Sequence, residues 1–198
     1  MARWATFDCY GTLVDWNAGL REALGSDELL ARYHELEPQV QAEDPSRSYR
    51  GVLRETARRL GVDADPATSL PDWPVFPEVR GALEDARERG WRLAILSNTD
   101  RDLLDASMEA IGVPFDLSIV ASEIGSYKPA ERHWRAFEEA AGRLPDAHVA
   151  QSLFHDIATA NALGIPSVWI NRLGEHADPE PTVELPDLTG LADVLERL

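Results

Sequence analysis

The sequence is short of cysteine, of positive charge and of long apolar runs, and each shortage removes a class of protein. A single cysteine, Cys9, leaves no partner for an internal disulfide and suits a reducing compartment. A thiol nucleophile at Cys9 would need a base to activate it, and none stands nearby in sequence, so Cys9 reads as a small buried hydrophobe. Nineteen Lys and Arg face 35 Asp and Glu, a formal net charge of -16. Nucleic acid and anionic membranes would repel that surface, and neither is expected as a partner. A few placed cations could still make a local pocket for a small anionic molecule. No apolar run approaches the ~20 residues of a membrane span. The chain also reaches Asp8 without a signal-like apolar region, so a cytoplasmic location is expected. Internal repeats and low-complexity segments are absent as well.

What is present belongs to an ordinary globular protein, with 44% hydrophobic and 27% charged residues among 198. That length suits one core domain with an inserted subdomain. The chain is organised around residues 5–15, ATFDCYGTLVD. A short apolar run reads as a buried strand and stops at Asp8, and Gly11 then allows a sharp turn. A carboxylate at the carboxyl end of a core strand stands where open α/β sheets form their active sites. Taken alone, Asp8 could equally be a turn residue bonded to its own backbone.

Residues 17–42 carry apolar positions at helical spacing (Leu20, Leu24, Leu29, Leu30, Tyr33, Leu36, Val40), broken at Gly25-Ser26-Asp27 into two helices. A third helix spans residues 49–60, and four prolines between 66 and 77 mark a linker. Residues 15–73 therefore read as a helical insertion, and residues 1–14 with 74–198 as the α/β core. In the core, helical patterns at 78–89, 101–111, 130–141 and 157–163 alternate with strand patterns at 92–96, 117–121, 148–153 and 167–171. That alternation implies a three-layer, doubly wound parallel sheet with right-handed crossovers. Residues 174–186 read as an extended surface arm, and 188–198 as a terminal helix.

Four polar segments fall where strands finish or helices begin. They are Asp8 with Tyr10 and Thr12, then Ser97-Asn98, then Ser126-Tyr127-Lys128-Pro129, then His155-Asp156. Ser97, Asn98 and the backbone after them could hold an anion, aided by the following helix. An ammonium at Lys128 near Asp8 would keep that carboxylate ionised and nucleophilic. Among the histidines only His155 is expected at the site. His34, His133, His148 and His176 are scattered without ligand spacing, so no metal is assigned.

The run FDCYGTLVD, LAILSN, SYKP, an acid ahead of a short helix, and GIPSVWINR resembles the haloacid dehalogenase superfamily, most of all its L-2-haloacid dehalogenase (type II) branch. The resemblance implies a Rossmann-like core with a helical cap and an aspartate nucleophile. It makes Asp8 that nucleophile, Thr12 its supporting hydroxyl, Ser97 and Asn98 substrate ligands, Lys128 the charge partner and Asp156 the downstream acid. It further implies a cap arginine gripping substrate, matched by Arg32 in Leu30-Ala31-Arg32. Trp134 stands where the branch has a tyrosine, and Tyr10 and His155 complete the expected substrate wall. Phosphatases of the superfamily place acids where this chain has Tyr10 and Gln151, which removes much of a Mg²⁺ site. Halide leaves without protonation, so the resemblance favours carbon–halogen hydrolysis of short 2-haloalkanoic acids with no cofactor. Where the branch has Ser and Asn before its downstream acid, this chain has Gln151 and Leu153. A small-metabolite phosphatase and a non-catalytic binding protein on the same fold are the alternatives. A homodimer is left open.

Overall fold

The computed structural model describes residues 2–198 and has a six-stranded, wholly parallel sheet in the order β3-β2-β1-β4-β5-β6. The strands are β1 (Arg3–Phe7), β2 (Trp91–Ser97), β3 (Leu117–Val120), β4 (Ala147–Ala150), β5 (Ser167–Ile170) and β6 (Val183–Leu185). The residues of β1, β2, β4 and β5 are almost continuously buried, as strands covered on both faces must be, whereas the edge strands β3 and β6 are half-exposed. β1 lies between β2 and β4, with Phe7 opposite both Ile95 and Val149. The chain direction of the sheet build-up reverses there, and the crevice beyond those strand ends is where such sheets bind ligands.

Between β1 and the core helices lie α1 (Trp16–Leu24), α2 (Asp27–Glu43), α3 (Tyr49–Arg59) and the short α4 (Pro66–Ser69). Local chemistry sets their ends. Asp15 accepts from Ala18 N at the start of α1, and Gly25 at φ +86° closes it. Ser26 caps α2 by accepting from Leu29 N, and Ser48 caps α3 by accepting from Gly51 N. These helices fill the long connection from β1 to α5. They are tied to the core through Asp100, just beyond β2, which accepts from Tyr49 N and Arg50 N at the start of α3. Gly19 of α1 packs so tightly on Trp73 that an added Cβ would lie 2.3 Å from the indole.

The core helices are α5 (Val79–Glu88), α6 (Arg101–Ile111), α7 (Ala121–Ile124), α8 (Arg132–Ala141), α9 (Ala158–Ala162) and α10 (Leu191–Leu195). Two expectations need correction. The strand expected over 148–153 ends at Ala150, and a single π-helical turn, Leu153–Ile157, follows. Such wide turns recur at functional sites, and this one carries Asp156. The expected surface arm contains β6, which pairs in parallel with β5 from Val168↔Val183 to Ile170↔Leu185. Three residues at a half-exposed edge are too few to show a period in sequence.

Candidate active site

Three of the four polar segments converge on one ammonium. Lys128, the only lysine in the chain, donates from Nζ to Asp8 Oδ1 (2.8 Å), Asp156 Oδ1 (2.7 Å) and the Leu96 carbonyl (2.8 Å). Its three protons meet three acceptors from separate segments, a task for a compact ammonium and not for the planar fork of arginine. Asp8 Oδ2 accepts from Thr12 Oγ1 (2.9 Å), and Thr12 Oγ1 accepts from Gln151 N (2.9 Å). Gly11, at φ +90°, makes the turn that returns Thr12 to Asp8.

Electrostatics divide the two carboxylates. Burial works against charge on Asp156, but Lys128 and His148 outweigh it and hold the group well below the usual carboxylate range. Asp8 is pushed upward by burial, with Lys128 opposing and Asp156 adding to the rise. Burial also opposes charge on Lys128, and the two carboxylates together raise it nonetheless. Asp8, 7% exposed, opens into a cavity of about 520 Å³ between the strand ends and the helices of residues 15–73.

Ser97, Asn98, Tyr10 and His155 line that cavity with Asp8, Lys128 and Asp156. The Ser97 hydroxyl is fully buried behind the wall, without a hydrogen-bond partner among the described residues. Asn98 acts differently from expectation. Its Oδ1 accepts from Lys128 N (2.6 Å) and its Nδ2 donates to Lys128 O (3.1 Å), so its amide fixes the lysine's backbone. Tyr10 shares a 3.0 Å bond with Ser107 Oγ and stacks on Tyr49. His155 N donates to Ser152 Oγ, and its Nδ1 lies 3.1 Å from the same oxygen. Burial lowers the His155 pKa and favours the neutral ring.

Two expected ligands stand elsewhere. Arg32 is exposed and does not line the cavity. The cavity face of α2 carries His34, Glu37, Pro38 and Gln41, and Arg32 points roughly 170° away at 100° per residue. Trp134 is fully buried with Trp4, Leu96 and Phe137 under the sheet, its ring edge-on to His148 at 5.3 Å. α8 packs against the sheet through this face, which leaves Trp134 no route to the cavity.

Sequence reasoning also missed contributors. His148, set aside as scattered, donates from Nε2 to Asp156 Oδ1 (2.9 Å), while Nδ1 lies 2.9 Å from Thr6 Oγ1. An inward position on β4, eight residues before the acid, was the available signal. His133 Nε2 donates to the Ser97 carbonyl (3.1 Å), and His34 lines the cavity. Arg172, within the quoted GIPSVWINR, donates to the Thr12 carbonyl and to Glu78 and sits over the Phe76 ring.

A hard cation does not fit this donor set. No cluster of three His, Cys, Asp or Glu among the described residues could hold a metal. The Tyr10 hydroxyl is turned to Ser107, Gln151 offers an amide, and Lys128 already stands between Asp8 and Asp156. No helix among the described residues is long and apolar enough to cross a membrane.

Comparison with known proteins agrees with this architecture. The profile of the haloacid dehalogenase-like hydrolases matches residues 2–164. An (S)-2-haloacid dehalogenase from Pseudomonas sp. (strain YL) is 33% identical over 157 residues, covering 73% of this chain and 68% of its own. A phosphoserine phosphatase from Thermus thermophilus is 30% identical over 146 residues, covering 68% of this chain and 59% of its own. A solved L-2-haloacid dehalogenase superposes with a TM-score of 0.82 over 98% of this chain and 99% of its own; at 24% identity that likeness speaks for the fold.

Proposed function

The chain belongs to the haloacid dehalogenase-like hydrolase family, and from that premise we propose that it cleaves the carbon–halogen bond of 2-haloalkanoic acids through an ester on Asp8. The observation that carries this reading is the Asp8–Lys128–Asp156 cluster, with Tyr10 where a phosphatase would need a second acid. The Asp8 carboxylate, kept ionised against burial by Lys128, attacks C2 in line. The carbon–halogen bond breaks, halide departs with the electron pair, and the carbon inverts. The Ser97 hydroxyl, fully buried and unpaired, would reach the substrate carboxylate or the leaving halide only through a small rearrangement at the end of β2.

Water then attacks the carbonyl carbon of the ester. Its proton passes to a cavity acceptor, for which neutral His155 and ionised Asp156 are the candidates. The acceptor returns that proton to the leaving oxygen, the hydroxy acid departs, and Asp8 releases the water's second proton to solvent and is restored as carboxylate. Residues 15–73 act as a cap over this chemistry, Asn98 and Thr12 as positioning residues, and the enzyme works in the cytoplasm on a small anionic substrate. A phosphomonoester hydrolase is the second reading, favoured by the likeness to the Thermus phosphatase.

One panel separates the two. Halide release from 2-chloro- and 2-bromoalkanoic acids is measured beside phosphate release from simple esters, with Mg²⁺ and after exhaustive chelation. Halide release that survives chelation is expected. Phosphate release restored by Mg²⁺, with no halide, would replace this reading by the second.

A further inference from the structure

Helix α2 turns one acidic side chain inward. Its core stripe runs Leu30, Tyr33, Glu37, Val40, the spacing of an apolar face, and its third place holds a carboxyl. Glu37 is 8% exposed and lines the cavity. It accepts from Gln41 Nε2 at 3.1 Å and forms no ion pair among the described residues. Burial pushes its carboxyl up to about 7, with only Gln41 opposing. A buried acid without a cation is costly, and a position that breaks its own helix pattern points to function.

The surrounding wall indicates which group would relieve that cost. Tyr49, stacked on Tyr10 at 6.1 Å, and His34, edge-on to Trp16 at 4.9 Å, line the cavity beside Glu37. Aromatic faces next to a carboxylate are the surroundings that hold an ammonium. Asp15 and Glu175 add further negative charge, while the lining cations are already engaged, Arg21 with Asp27, Arg172 with Glu78 and Lys128 with both aspartates. The cavity, about 520 Å³, would hold about 17 waters at ~30 Å³ each, far more than a three-carbon acid displaces.

We propose that Glu37 is a specificity-determining residue that receives an ammonium group at the end of the substrate remote from the halogen-bearing carbon. The substrate class is then the ω-amino-2-haloalkanoic acids. This rests on the reading of Asp8 as the group that displaces halide, but its binding half needs no turnover.

The test is calorimetric titration of the intact protein at pH 8 with halogen-free 6-aminohexanoate, 6-hydroxyhexanoate and hexanoate. Steady-state halide release from 6-amino-2-bromohexanoate and 2-bromohexanoate follows. The amino acid should bind at least tenfold more tightly than hexanoate, and kcat/KM should favour the amino substrate likewise. Glu37→Gln, and Glu37→Met should the first variant not fold, should bring both ratios within twofold of unity. Equal affinities in the unaltered protein overturn the proposal, as does a preference that persists in the variants. Tighter binding of the hydroxy acid than of the amino acid overturns the cation assignment. A Glu37-dependent binding preference with no halide from either substrate supports this inference and overturns only the dehalogenation reading.

Discussion

Replacing Lys128 by methionine removes the one positive charge between two buried carboxylates while keeping most of the side chain's volume. The ammonium is almost wholly buried and bonds to Asp8, Asp156 and the Leu96 carbonyl at 2.7–2.8 Å. Without it Asp8 retains Thr12 as a side-chain partner, Asp156 retains His148, and each carboxylate faces the other. Breaking a buried pair from one side costs about 3–5 kcal/mol. With a urea slope of about 3 kcal/mol/M, suited to a chain of this size, the unfolding midpoint should fall by about 1–2 M. The loss should depend on pH. In the unaltered protein Asp156 is held below the ordinary 3.8, so its stabilisation is present above that pH and is lost only as pH falls through the lowered value. In the variant, burial and mutual repulsion raise both carboxylates, so stability is lost as pH rises from 3.8 through the raised values. The gap between the two proteins should be widest near pH 8 and narrow toward pH 4.5. Urea melts followed by fluorescence of the six tryptophans at pH 8, 6 and 4.5 measure it. Lys128→Arg should not rescue, because a planar fork cannot reach three acceptors disposed around one point. A midpoint change below about 0.3 M at pH 8, or a gap that ignores pH, would refute the reasoning.

Asp8→Asn should fold and lose halide release, because an amide is a far poorer nucleophile than a carboxylate; steady-state halide assays beside circular dichroism check both halves. Arg32→Lys should leave kcat/KM within about twofold, as expected of an exposed group off the cavity, and a tenfold drop would return Arg32 to the substrate. Leu153 packs with Ala150, Ile157 and Trp169, and the Gln151 amide lies 3.4 Å from Glu175, so neither reproduces a short hydroxyl and amide beside the ester. Ester hydrolysis should therefore be slowed ~10–100-fold relative to ester formation, giving a halide burst equal to enzyme and a mass adduct on the Asp8 peptide. A linear trace without adduct would mean that His155 or Gln151 places the water well. Burial lowers the His133 pKa to about 3 against 6.5 unfolded, so stability from its neutral ring is complete above pH 6.5 and declines as the unfolded chain takes up the proton. That loss is ~2 kcal/mol at pH 5, at 1.4 kcal/mol per pH unit. His133→Gln should lose less between pH 7.5 and 5 in urea melts, and equal losses would contradict it.

The sequence by itself determined the parallel sheet and the cluster at its centre. Helix and strand periods are written in consecutive residues, and their alternation allows few topologies. A polar residue ending an apolar strand run must then emerge at the crevice. For that reason Asp8 and Ser97 are legible in the strand pattern, whereas Lys128 and Asp156, which stand beyond the strand ends, are legible as residues ahead of helices and through the family resemblance. The outward position of Arg32 is also legible, because the stripe Leu30, Tyr33, Val40 turns it away from the core, although the Leu30-Ala31-Arg32 match implies a place on the substrate. Tertiary structure alone decided the rest. Trp134 and His148 meet because α8, packed on β2 and β3, turns its indole toward the β4 imidazole, and Asn98 turns to the Lys128 backbone because the two loops pass within hydrogen-bond reach. Glu37 faces the cavity because α2 packs above it, and β6 exists because the neighbouring edge of β5 offers it hydrogen bonds. Periodicity fixes which face of an element is apolar. What that face meets depends on contacts between residues far apart in the chain, and no local pattern records those.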